Sequence, residues 1–164
     1  MPVDALADYD IDFMRVQEFS QEEMDDYHAQ IPRLANATRF AAKLLQEGIF
    51  VSDLPYEASC RLKGGLEYPY TNDSYSGLEP GESIILIPAA TTWLLFAGET
   101  IYEHCSGGDT SNGWARGTWN LQRWEFWKSQ LMSFAERKDF NEECRGLAEQ
   151  TAKKMLEIEK NFQG

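Results

Sequence analysis

From Leu34 onward the apolar positions recur at three- and four-residue spacing: Leu34, Ala37, Ala41, Leu44 and Leu45. That period is one face of an α-helix, and Gly48 marks its end, since glycine readily takes the left-handed turn that closes a helix. Pro32 predicts the start of this helix, because a missing N–H costs nothing in a first turn. Ahead of it, Ser20-Gln-Glu-Glu23 is a capping box, in which Ser20 and Glu23 satisfy each other's backbone donors. It predicts a separate short helix from about Gln21 towards Gln30, stopped near Pro32. A further helix from about Pro55 carries Ala58, Leu62 and Leu66, and Gly64-Gly65 obscures its end.

Residues 68–82, YPYTNDSYSGLEPGE, are polar and rich in turn formers and read as a loop. Ile84–Ile87 leads into a helix expected from about Pro88 to His104, where Ala89, Trp93, Ala97 and Ile101 recur every four residues. Residues 106–117, SGGDTSNGWARG, form a second loop. Asn120 is a good N-cap for a helix bearing Leu121, Trp124, Trp127, Leu131 and Phe134. The last helix starts near Asn141, places Glu142 and Glu143 at its positive end, and turns Leu147, Thr151, Met155, Ile158 and Phe162 inward. The pattern predicts an all-α, single-domain bundle of about five or six helices with irregular loops. The helical domain occupies residues 20–164, behind an acidic N-terminal arm of residues 1–19.

Three of the five tryptophans fall within TWNLQRWEFWKSQL, residues 118–131. Trp124 and Trp127 lie on the apolar stripe and belong to the core. A buried aromatic ring removes about 150–250 Å² from water, a gross gain of roughly 4–6 kcal/mol at about 25 cal/mol/Å². Trp119 stands just before the cap. It is either a hydrophobic staple packing on Trp124 or, with Trp114 and Arg116, an aromatic wall that binds a ligand or partner.

The formal charge of −12 is concentrated in residues 1–30, which hold nine acids and one base. An acidic surface repels phosphate backbones, so nucleic acid and anionic membrane are poor partners. Cys60, Cys105 and Cys144 have no C-x-x-C spacing and read as reduced, buried thiols. The first residues, MPVDALADYDID, lack the basic and apolar regions of a secretory signal, and a cytoplasmic protein is expected. Two histidines with no repeated Glu-x-x-His give no metal site. The Ser106-Gly107-Gly108-Asp109 loop lacks a phosphate-cradle spacing, so no cofactor is expected. For acid–base work the candidates are His104, Glu99, Glu103 and Tyr102, provided the Trp93 helix and the Trp119 loop meet around one cavity.

Two segments together, IPAATTWLLFAGETIYEHC (87–105) and WARGTWNLQRWEFWKSQLMSFA (114–135), resemble a family of small helical proteins of filamentous fungi whose function is not established. The similarity rests on Trp93, Ala97, Gly98 and Tyr102, then on Leu121, Arg123, Trp124, Phe126, Trp127 and Lys128. The segment RFAAKLLQEGIF (39–50) is similar to the family's earlier helix. The resemblance implies a fungal, intracellular, all-helical domain and transfers no catalytic residue. Two function classes follow. The first is a non-catalytic helical module binding a protein or a small apolar ligand. The second is a cofactor-independent cyclase, isomerase or lyase of fungal specialised metabolism with an aromatic-lined pocket.

Overall fold

The computed structural model describes residues 21–49, 53–67, 80–107, 114 and 118–164. The acidic arm, Ser20 of the capping box, Arg116 and most of the tyrosine loop lie outside the described residues. The described residues form five α-helices: α1 Gln21–Gln46, α2 Leu54–Leu62, α3 Pro80–Cys105, α4 Leu121–Glu136 and α5 Glu142–Gln163. A π-helical turn, Lys63–Glu67, continues α2. The described residues contain no strand, so the all-α, single-domain expectation holds.

Two boundaries differ from the sequence reading, and proline is the reason in both. The two expected helices around Pro32 are one, with Pro32 inside α1. Likewise α3 begins eight residues before Pro88 and carries it in its interior. An interior proline removes one helical hydrogen bond and crowds the preceding turn. Here tertiary packing of a long apolar face outweighs that local cost.

The other signals act as the residues dictate. Asn120 and Asn141 cap α4 and α5 by accepting from the backbone N–H groups of Arg123 (2.9 Å) and Cys144 (2.8 Å). Gly48, at φ +68°, closes α1. Its N–H donates to the Leu45 carbonyl and that of Ile49 to the Leu44 carbonyl, the paired bonds of a Schellman turn.

α3 is the centre, with each of the other four helices packed against it. Thr100 hydrogen-bonds Gln46 at the end of α1, while Ile84 and Ile85 lie beside Ile31 near its start, so α1 and α3 run parallel. On the opposite flank the Cys144 thiol donates to the Ser83 carbonyl and the Tyr102 ring packs on Phe162, so α5 is parallel too. α4 returns antiparallel to α5, and α2 returns between α1 and α3. By length and composition Ser83–Cys105 could cross a membrane; in this fold it is the helix the others surround.

Candidate functional site

The Arg-Trp-x-Phe-Trp-Lys block has a structural explanation. One turn of α4 separates Arg123 from Trp127, and one turn separates Trp124 from Lys128, so each pair shares a face. Each face carries an indole N–H and a cation, and each meets one carboxylate. Glu67, in the π-helical turn, accepts from Trp127 Nε1 at 2.6 Å and from Arg123 Nε at 2.7 Å, with Arg123 Nη2 2.6 Å away. Arg123 also donates to the Thr118 carbonyl and lies over the Trp127 ring at 5.0 Å. Glu159, on α5, accepts from Trp124 Nε1 at 2.7 Å and from Lys128 Nζ at 2.6 Å. Burial alone would lower the Lys128 pKa, but hydrogen bonds to Glu125 and Glu159 overcome it and raise the value.

These two clamps tie α4 to the turn after α2 and to α5. A hydrogen bond to a charged group contributes about 1.5–3 kcal/mol, and each carboxylate receives at least two such donors. Sequence reasoning found both indoles but neither acid. The available signal was the repeated pairing of an indole with a cation four residues apart, which calls for an acceptor on each face.

Trp119 packs on rings other than Trp124, so the contact is not the hydrophobic staple that the sequence offered. Trp119 is buried, with its ring 4.8 Å from Trp114 and 6.1 Å from Trp127. Trp124 instead packs on Tyr102 at 4.9 Å. Trp114 and Trp119 are 2% and 6% exposed, so both rings are part of the packed interior. Their indole N–H groups, like that of Trp93, have no acceptor among the described residues.

The acid–base candidates are divided by the helix that carries them. Tyr102 is buried between Trp124 and Phe162. Glu99 and Glu103 are exposed on the outer face of α3, where Glu99 lies 3.9 Å from Lys154 of α5. His104 stacks flat on Trp114, at 3.7 Å and 6°. Next to it, burial pushes the Cys105 thiol up to about 12, although Arg123 and the Asn120 backbone N–H pull the other way. Such a thiol stays protonated at neutral pH and is a poor nucleophile. Among the described residues no group of three or more His, Cys, Asp or Glu side chains is placed to hold a metal ion.

Open space lies elsewhere, along the α1–α3 seam. There Ile31, Leu34, Ala35 and Thr38 face Ile84, Ile85, Pro88, Ala89 and Thr92 across a cavity of about 70 Å³, with Arg61 of α2 at its edge. The seam is open because Ala35 and Ala89 are short. Thr92 adds little polarity, since its hydroxyl donates back to the Pro88 carbonyl at 2.7 Å. Pro88 itself cannot donate to the Ile84 carbonyl.

No curated protein and no solved structure shows significant similarity to this chain. A family match, however, spans residues 6–131. It takes in α1, α2, the Glu67 turn, α3 and most of the Trp124–Trp127 helix. The chain therefore belongs to the family described as "Protein of unknown function (DUF3632)".

Proposed function

We propose that this domain is a non-catalytic binding module that receives an apolar ligand, or an apolar side chain of a partner, in the groove between α1 and α3. The observation that carries this reading is the groove itself: an open, mainly aliphatic slot in a protein whose buried tryptophans pack against neighbouring rings. Ligand sites are concave and mainly apolar, with few polar groups. At about 70 Å³ the slot is well below the roughly 300–1,000 Å³ of a metabolite pocket. It suits an alkyl chain lying along the seam, with the remainder of the molecule outside. This reading moves the ligand contact from Trp114, Arg116 and Trp119 to the seam, because both indoles are engaged by their own neighbours.

An isomerase or lyase would need a substrate cavity with an acid–base group facing it. Tyr102 lies inside the core while Glu99 and Glu103 face outward, and that division favours the binding module. The test is titration of octanol into the full chain, followed by amide chemical shifts. Saturable shifts confined to the seam, lost in Ala89→Leu, are expected. Absence of saturation, or binding indifferent to Ala89→Leu, overturns the reading.

A further inference from the structure

We propose that the groove selects an apolar carboxylate, with Arg61 receiving the head group and the α1–α3 seam receiving the chain; this rests on the groove reading above. Of the residues lining the slot, Arg61 alone carries a charge. It is half-buried on α2 and lines the slot together with Ile31 and Ile84. The rest of the lining offers no other cation: Ile31, Leu34, Ile85 and Ala89 are aliphatic, the Thr92 hydroxyl donates to the Pro88 carbonyl, and Thr38 adds one neutral hydroxyl.

A cation at the edge of an aliphatic slot matches a molecule with one anionic end and a hydrocarbon body. The planar guanidinium suits a planar carboxylate, which it can grip with two parallel N–H bonds. Arg61 already engages a neighbour within the fold, and Glu57, buried one turn earlier on α2, is the acid nearest to it in the chain. Five N–H donors leave a guanidinium able to hold a second acceptor.

The background field strengthens the argument for a specific contact. A chain of net charge −12 repels anions at long range, so an anionic ligand gains here only from a local cation. A cationic amphiphile would be drawn to the protein as a whole and repelled at this edge.

Octanoate, octanol and octyltrimethylammonium, titrated separately into the full chain at neutral pH and low salt, test the assignment. Octanoate is expected to bind about tenfold more tightly than octanol, as a charge-assisted hydrogen bond implies, and the ammonium compound most weakly. Arg61→Gln should bring octanoate down to the octanol level and leave octanol unchanged. Arg61→Lys, which keeps the charge but loses the fork, should fall between. Circular dichroism of both variants establishes that they are folded, and the Lys variant keeps the test decisive if Gln is not. Octanol binding with no preference for octanoate overturns the head-group assignment and leaves the groove reading standing. Failure of both ligands overturns the groove reading and this assignment with it. Equal losses of octanol and octanoate in Arg61→Lys assign Arg61 to the structure of the groove and overturn its role as receptor.

Discussion

The two flanks of α3 are built alike and finished differently. Both α1 and α5 run parallel to it, and both meet it along most of its length. Against α5 the contact is closed: a Cβ on Gly98 would come within 2.8 Å of Ile158, and the Cys144 thiol reaches the Ser83 carbonyl. Against α1 the upper part of the contact is open, since Ala35 and Ala89 meet where larger side chains would interlock. Helix direction and neighbour are the same in kind, so the groove comes from side-chain size at a few positions. A proline lies within each of the two helices that border it, whereas α4 and α5 have none. Closed and open seams are thus separable properties of one bundle, and substitutions should move them independently.

The largest effect is expected in the packed interior, where α4 meets the turn after α2. Trp127→Ala removes a fully buried ring and leaves Glu67 and Arg123 without their indole. A loss of about 3–5 kcal/mol is expected for such a truncation, against a total stability of about 5–15 kcal/mol for a domain. Urea unfolding followed by circular dichroism measures it. A loss below about 1 kcal/mol would show that the Glu67 clamp contributes little.

An intermediate effect sharpens the contrast between tight and open packing. At Gly65 an added Cβ would lie 2.7 Å from the Leu86 carbonyl oxygen and 2.8 Å from the Ala90 Cβ. Neither atom is the end of a flexible chain, so Gly65→Ala should cost about 1–3 kcal/mol, as overpacking does. One turn along α3, Ala89→Leu points into the groove and should change stability by less than about 1 kcal/mol. Equal costs at the two sites would mean that the seam is not open in solution.

The smallest effect concerns pH. The folded Cys105 thiol, pushed up to about 12, keeps its proton above the pH at which an unfolded thiol loses it. The folded state therefore binds more protons between about pH 9 and 12, and stability should fall as pH rises through that window. Lys128, whose pKa is also raised, contributes in the same direction: its stabilisation is complete below its unfolded value and lost as pH climbs past the folded one. Comparing Cys105→Ala with the parent protein isolates the thiol. An unchanged slope above pH 9 would mean that Cys105 is reached by solvent.

The legible part of this molecule was its local grammar. Asn120, Asn141 and Gly48 announce helix ends because capping acts over a few residues, and Trp124, Trp127, Leu131 and Phe134 announce a buried face by their period. Pro32 and Pro88 misled because their cost is local while its compensation comes from other helices. Glu67 and Glu159 could not be picked out, since the chain has 27 acids and the choice is made by contacts 31 to 60 residues apart in sequence. The groove was invisible for a related reason. Ala89 fits the apolar stripe well, and only the position of Ala35 across the seam turns a small side chain into empty space.

The indoles also give this protein built-in spectroscopic labels. Trp124 and Trp127 hold their N–H groups in short bonds to different carboxylates, one on α5 and one on the turn after α2. The N–H groups of Trp93, Trp114 and Trp119 have no acceptor among the described residues. Two side-chain resonances should therefore stand apart from the other three, and each belongs to a different interface of α4. Followed during denaturation, they distinguish a bundle that parts first from α5 from one that parts first at the Glu67 turn.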